Sequence, residues 1–400
     1  MDNASSTARR IFDAGVQAAD PVAAVTRHLD DVPAPALIIA VGKAAGGMAQ
    51  AATARFHDVP VLVVTNYENA RPLEGAKVYA AGHPVPDDNG AAAAKAVIAA
   101  LQGAGGPVLA LISGGGSALL PAPAGALTLA DKIAVNTLLL GAGLDIRDMN
   151  LIRQQLSDIK GGGFLWHAAP HKVTALILSD VVGDDLAAIA SGPTVGPIGT
   201  AAQAVALLQG AGIWARVPAA VRDHLAQDRP ADTLPEARNI LIGSNRQSVV
   251  AMAQAAGDGR VIPDPVTGDV GAAAKLICDQ AGEGITLWGG ETTVVLQGTG
   301  RGGRNQELAL RIALEARARG WRDWVCLQGG TDGRDGPTDA AGGIVDQDTL
   351  ARIDDVTGLL ANNDSYAALA QANALLMTGA TGTNVADLGV LIRRGGGHAD

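Results

Sequence analysis

The chain has 400 residues, 48% of them apolar and 18% charged, with a formal charge of −10. It is long enough for two domains and a core that needs no covalent staples, and too apolar for a disordered segment. The acidic balance excludes non-specific binding to nucleic acid or anionic membrane. The two cysteines, Cys278 and Cys326, are too far apart in sequence for a disulfide framework or a cysteine metal site.

In chain order, residues 1–20 carry Arg9 and Arg10 but no apolar stretch after them, so no secretory signal is visible. No run approaches the ~18 apolar residues of a membrane span. A cytoplasmic protein without membrane contact is expected. Short Val/Ile/Leu runs then recur at 36–41, 61–64, 78–81, 108–112, 173–178, 240–242 and 324–327. They do not alternate with polar residues, which is the pattern of strands covered on both faces. Ala-rich helical stretches such as 91–102 and 201–208 separate many of them. The expected fold class is α/β with a mostly parallel sheet. The polar stretch 218–238, with its prolines, marks a boundary, giving domains at 1–230 and 231–400. The C-terminal RRGGGHAD reads as a frayed tail.

Ligands of such sheets bind beyond the carboxyl ends of the strands, and the strand ends are where this chain concentrates glycine and polar side chains. Lys43 follows the first run directly, where a purely solubilising lysine is out of place. It suits a phosphoryl group or a carboxylate. Ser113-Gly114-Gly115-Gly116-Ser117 follows the strand at 108–112 and reads as an anion loop, although no Walker A motif occurs. In NLIRQQLSDIKGGG, helical spacing brings Asn150, Arg153, Ser157 and Lys160 to one face. That face is either an anion site or a solvated stripe. His83, in Gly82-His83-Pro84, reads as shaping its loop.

The strand-end acids Asp180, Asp184 and Asp185 form one cluster. Asp332, Asp335 and Asp339 form another. Each suits Mg2+, a general base or a tight turn. The segment 298–303 is a literal GxGxxG before a helix at 305–317. The strand after it ends in Gln328, not in the acid a dinucleotide site wants. An anion at that helix N-terminus, reinforced by Arg301 and Arg304, remains the alternative.

Together VGKAAGGMA, GHPVPD, ISGGGSALL, NLIRQQLSDIKGGG, ILSDVVGDDLAAIASGPT, GGETTV, GRGGRNQELAL and GGTDGRDGPTDAAGG resemble the class II glycerate 2-kinases. The C-terminal part of that family is the MOFRL domain, and some members are labelled hydroxypyruvate reductases. The resemblance runs from about residue 8 to about residue 390. It implies a Rossmann-like N-terminal domain, a smaller α/β C-terminal domain and a site in the cleft between them. It also implies transfer of the ATP γ-phosphoryl to the 2-hydroxyl of D-glycerate, with Mg2+. On this analogy Lys43, Asp180, Arg304 and Asp332 are the catalytic residues, with Asp180 and Asp332 as metal ligands. Lys43, Arg153, Lys160 and Arg304 bind substrate. Ser113–Ser117 (Gly114, Gly115 and Gly116 between them), Ser244, Asn245 and Glu291 bind nucleotide or phosphate. The partners are D-glycerate and ATP, in a monomer or homodimer without nucleic acid. The competing readings are an NAD(P)H-dependent hydroxypyruvate reductase, a kinase for a related 2-hydroxy acid, and a non-catalytic sensor.

Overall fold

The computed structural model describes residues 4–227 and 233–394. Most of the expected frayed tail and part of the expected boundary segment lie outside them. The chain divides into two compact units, one of Pro21–Ile242 and one that joins the first twenty residues to Gly243–Asp400. This differs from the expected division chiefly in the first helix, Ala4–Ala18, which packs with the second unit. Its buried Ala8, Ile11 and Phe12 share a core with Met252, Leu327 and Leu388.

Six strands build the sheet of the first unit: β1 (Leu37–Val41), β2 (Val61–Asn66), β3 (Ala76–Ala81), β4 (Val108–Ser113), β5 (Val173–Leu178) and β6 (Ala237–Gly243). Their order is β3-β2-β1-β4-β5-β6. The β1–β2, β1–β4, β2–β3 and β4–β5 pairings are all parallel. Every residue of β1, β4 and β5 is buried, which is why these segments read as unbroken apolar runs. The strand order reverses between β1 and β4. The crossovers that leave them run to opposite sides and open a crevice at their carboxyl ends.

Helix Asp88–Gln102 starts at Asp87, whose carboxylate accepts from the Gly90 N–H at 2.9 Å, and buries Ala93, Ala94, Val97 and Leu101 at helical spacing. A second cluster around Leu139, Ile152 and Leu208 unites helices Leu129–Gly141, Ile146–Gln155 and Ala201–Gly210. Thr128 with Asp131, and Thr200 with Gln203, form capping boxes on two of them. The expected helix through residues 150–163 stops at Gln155. Ser157 and Lys160 therefore lie in the turn that follows, which Gly161 and Gly162 close at φ of 54° and 86°. Asn150, Ser157 and Lys160 are buried, so the polar face is not a solvated stripe.

The second unit holds β7 (Arg260–Val261), β8 (Val266–Asp269), β9 (Gly284–Thr293), β10 (Trp324–Gly330), β11 (Gly342–Asp346), β12 (Leu375–Leu376) and β13 (Asp387–Arg393). Their order is β12-β11-β10-β13-β9-β7, with β8 also on β9. Pairing is antiparallel from β12 to β9 and parallel for β7 and β8. The mostly parallel pattern expected from the apolar runs thus belongs to the first sheet, whereas the second is antiparallel except where β7 and β8 join β9. The runs here are unbroken because both faces are covered. Val325 and Leu327 face one core with Leu388 and Val390, while Cys326 and Leu391 face another with Leu308 and Ile312 of helix Arg304–Ala318.

Candidate active site

The ends of β1 and β4 meet backbone to backbone at the point where the strand order reverses. Gly42 stands at φ 123°, and a Cβ there would overlap the Ser113 hydroxyl and carbonyl. Ser113 Oγ accepts from the Ala44 N–H at 3.1 Å and donates to the Val41 carbonyl at 3.3 Å. The Lys43 N–H donates to the Gly114 carbonyl at 2.8 Å. The Lys43 carbonyl accepts from Asn69 Nδ2 at 2.9 Å and from Thr65 Oγ1 at 3.5 Å. Lys43 is thereby fixed beside the glycine loop by β2 and β4 together.

A Cβ on Gly115, which lies at φ 86°, would stand 3.2 Å from Lys43 Cγ and from His83 Cδ2. A Cβ on Gly114 would overlap the Asp180 carboxylate. The structure thus brings Lys43, His83, Ser113–Ser117 and Asp180 together from the ends of β1, β3, β4 and β5. Burial, reinforced by Lys43, drives the His83 pKa down to about 4, so the ring is neutral at pH 7 and offers a hydrogen bond and not a charge. The sequence reading made His83 a loop residue; only the fold shows it facing Lys43.

Lys160 extends this cluster. Its Nζ donates to the Ser117 carbonyl at 2.6 Å and to Ser117 Oγ at 3.2 Å, and Ser117 Oγ is 2.8 Å from Ser191 Oγ. Burial, then the nearby Arg153 charge, lowers the Lys160 pKa to about 7. Arg153 donates to Asn136 Oδ1 at 2.6 and 3.1 Å. Of the other two acids in the Asp180 cluster, Asp185 caps its own turn by accepting from the Ala187 N–H at 2.9 Å, and Asp184 sits at φ 56°.

The second unit assembles a different network. Arg304 donates to both oxygens of Asp387, at 2.7 and 3.1 Å, and pairs with Glu291 at 2.8 Å. Burial opposes the Arg304 charge, and Asp387 overcomes that and holds its pKa above the ordinary value. Asn305 Nδ2 donates to Asp387 at 3.0 Å and to Asp335 at 3.3 Å. Gln328 Nε2 donates to Asn305 Oδ1 at 2.6 Å, and Trp288 Nε1 to Gln328 Oε1 at 2.9 Å. Asn245 Nδ2 donates to the carbonyls of Val385 and Asp387 at 2.8 and 2.9 Å, and Ser244 caps its helix by accepting from the Gln247 N–H at 3.4 Å. Asp387 escaped the sequence reading because it opens a strand that reading did not single out.

The GxGxxG segment is a loop, not a strand-to-helix turn. The N–H groups of Gln297 and Gly298 donate to Asn363 Oδ1, that of Thr299 to Asn362 Oδ1, that of Gly300 to the Asn362 carbonyl and that of Arg301 to Asp364 Oδ1. The group that caps the N-terminus of helix Arg304–Ala318 is the chain's own Asp335 carboxyl, which accepts from the Asn305 and Gln306 N–H groups at 3.1 and 2.8 Å. Burial lifts the Asp335 pKa to about 7. The three acids of the glycine-rich turn part company. Asp335 is this buried cap, Asp339 bonds the Tyr366 hydroxyl at 2.8 Å, and Asp332 accepts from the Arg334 N–H at 3.0 Å. Among the described residues no group of three or more His, Cys, Asp or Glu side chains is gathered to hold a metal, and no helix is long and apolar enough to cross a membrane.

Residues 7–226 match the domain of unknown function DUF4147, and residues 284–387 match the MOFRL family. A protein named D-glycerate 2-kinase, from Thermotoga maritima, is 38% identical over 88% of this chain and 89% of its own length. An Agrobacterium vitis protein that carries the provisional name hydroxypyruvate reductase is also 38% identical, over 98% of this chain and 94% of its own. The crystal structure of a glycerate kinase from Thermotoga maritima superposes with a TM-score of 0.87 at 36% identity, over 96% of this chain and 97% of that one. The matches span both units, and so the chain belongs to the glycerate 2-kinase family that carries the MOFRL domain.

Proposed function

We propose that the protein transfers the γ-phosphoryl group of ATP to the 2-hydroxyl of D-glycerate, giving 2-phospho-D-glycerate and ADP. The observation that carries this reading is the meeting of Lys43, Ser113–Ser117 and Asp180 at the reversal point of a parallel sheet, beside a buried lysine, in a chain whose relatives are named glycerate kinases. Phosphoryl transfer asks for positioning and charge neutralisation more than for covalent catalysis. In this reading the glycine loop holds nucleotide phosphates and the Lys43 ammonium neutralises charge on the transferring group. The oxygen of the 2-hydroxyl attacks the γ-phosphorus, the bond to the ADP oxygen breaks, and the hydroxyl proton passes to a carboxylate.

Mg2+ is served by one or two carboxylates together with phosphate oxygens. Asp180, a single carboxylate against the glycine loop, fits that donor set, and Asp332 keeps the role that the family resemblance implies for it. When bound, the metal neutralises charge on the phosphates. We assign Arg304, Glu291, Ser244 and Asn245 to shaping the second unit, since Arg304 is already matched by two carboxylates and Asn245 by backbone carbonyls. The free, buried Cys278 and Cys326 fit a reducing cytoplasm.

A coupled assay tests the reading. Purified protein, Mg-ATP, D-glycerate and enolase without phosphoglycerate mutase should yield phosphoenolpyruvate. ADP release without phosphoenolpyruvate would move the transfer to the 3-hydroxyl or to water. Faster turnover of tartronate than of glycerate would make a related acid the substrate. The reductase reading requires NADH oxidation by hydroxypyruvate. It is the weaker one, because the backbone N–H groups a dinucleotide pyrophosphate would use at 297–301 are taken by residues 362–364.

A further inference from the structure

Three cations stand together in the first unit without carboxylates to match them. Lys132 projects from helix Leu129–Gly141, Arg153 from helix Ile146–Gln155, and Lys160 from the turn before helix Gly163–Ala168. Each lies within electrostatic reach of the other two. Among the described residues none of the three forms an ion pair. Among the described residues the exposed Asp158 is the one carboxylate that acts on the group, through Lys132.

An ammonium carries three N–H donors and a guanidinium five. Lys160 is 6% exposed and donates only to Ser117. Lys132 donates to the Leu156 carbonyl at 2.9 Å. Arg153 donates to Asn136 and Asn150. Among the described residues, donors on all three remain without a protein acceptor. Neutral carbonyls and amides orient these groups, yet they leave the mutual repulsion uncancelled. Burial and that repulsion together hold both lysines below the ordinary lysine range. Like charges brought together and left uncompensated are destabilising unless an anion joins them.

We propose that Lys132, Arg153 and Lys160 form the subsite for the carboxylate of the 2-hydroxy acid, which makes Lys132 a substrate-binding residue and makes the carboxylate a requirement for acceptance. The identity of the acid rests on the function proposed above; the uncompensated charge does not. A carboxylate offers two coplanar acceptor oxygens, which suits a guanidinium flanked by ammonium groups. Lys160 sits on Ser117, the last residue of the anion loop, so the subsite adjoins the place assigned to the phosphates. Of the other cations considered for this role, Lys43 is assigned above to the transferring group and Arg304 is already paired with Asp387 and Glu291.

The test is calorimetric titration of the full chain with D-glycerate and, separately, with ADP. Wild type is compared with Lys132→Met, Lys160→Met and the conservative Lys132→Arg, and thermal melts confirm that each is folded. In both Met variants the Kd for D-glycerate should rise about tenfold or more. The Kd for ADP should stay within about twofold in Lys132→Met, which does not touch the glycine loop, and Lys132→Arg should recover most of the loss. Glyceramide, which keeps the hydroxyls and lacks the charge, should bind wild type at least about tenfold more weakly than D-glycerate.

A second readout needs no variant. At pH 8 the binding of D-glycerate should take up protons, seen as a dependence of the heat on buffer ionisation enthalpy, because the anion, acting in the same sense as Asp158, restores the charge of Lys132 and Lys160 against burial and Arg153. Unchanged glycerate affinity in folded Met variants overturns the proposal, as does glyceramide binding equal to glycerate. Loss of ADP affinity in place of glycerate affinity makes the cluster a phosphate site and overturns it too. If wild type binds D-glycerate through Lys132 but transfers no phosphoryl group, the kinase reading fails and the subsite stands. If it phosphorylates D-glycerate and Lys132→Met keeps the same KM, the subsite fails and the kinase reading stands.

Discussion

Lys43 and Asp180 meet at one glycine loop although about 140 residues of chain separate them. Both were legible because each follows an apolar run at the place where parallel sheets expose their polar groups. Lys43→Met is expected to lower kcat about 100-fold or more, and Asp180→Asn by a similar factor, with melting temperatures close to wild type. Near-normal kcat in either would remove that residue from the machinery. Asp335 was not legible as what it is. In sequence it is one acid of a turn, and in the fold it caps a helix from a buried position. Its folded pKa of about 7 lies above the ordinary carboxylate value, so between about pH 4 and pH 7 the folded state holds a proton that the unfolded chain has released. Stability therefore falls as pH rises through that window and levels off above it. Asp335→Asn should flatten this slope in urea midpoints measured across the window. Lys160 has the opposite sign. A lysine lowered to about 7 is deprotonated in the folded state while the unfolded chain keeps its proton, so stability rises from about pH 7 to pH 10. Lys160→Met should raise the melting temperature at pH 6 by a few degrees, on the order of 1–2 kcal/mol, while it weakens substrate binding. A lowered melting temperature would mean that packing around the stem outweighs the charge.

At the scale of elements, the glycine loop is held by contact as well as by flexibility. Gly42 needs its positive φ and its missing side chain at once, because β1 and β4 touch there through Ser113. Gly42→Ala is expected to cost about 2–3 kcal/mol in the urea unfolding of the first unit. Gly114→Ala is a different experiment. Its new methyl group meets the Asp180 side chain, so a loss of kcat of about tenfold or more should come with a smaller loss of stability, read by activity and melting in parallel. The helix ending at Gln155 shows where periodicity misleads. The polar spacing of Asn150, Arg153, Ser157 and Lys160 is helical in sequence, but the chain turns after the second of them and uses the other two to reach Ser117 and the Pro121 carbonyl.

At the scale of the whole molecule, the first helix belongs to the unit formed by the last 158 residues. Nothing in its composition says so; its apolar face would serve either core. Phe12 and Ile11 are fully buried against Met252, Leu388 and Val390. Phe12→Ala should cost about 3–5 kcal/mol. Hydrogen exchange should show the loss in β10 and β13 while β1 and β4 keep their protection. Equal loss in both sheets would mean that the units unfold as one.

The sequence by itself determined the first sheet, its strand ends and the glycine loop, because runs buried on both faces and strand-end glycines are properties of single segments. It also carried the family, through motifs spread along most of the chain. What only the tertiary structure decided concerns pairs far apart in sequence. Periodicity is blind to strand direction, so the antiparallel heart of the second sheet was hidden. The occupation of the GxGxxG backbone by residues 362–364, the capture of Arg304 by Asp387 and the gathering of Lys132, Arg153 and Lys160 were hidden as well. Each depends on which segments the fold brings together, and a residue's charge or hydrogen-bonding capacity says nothing of its partner until they meet.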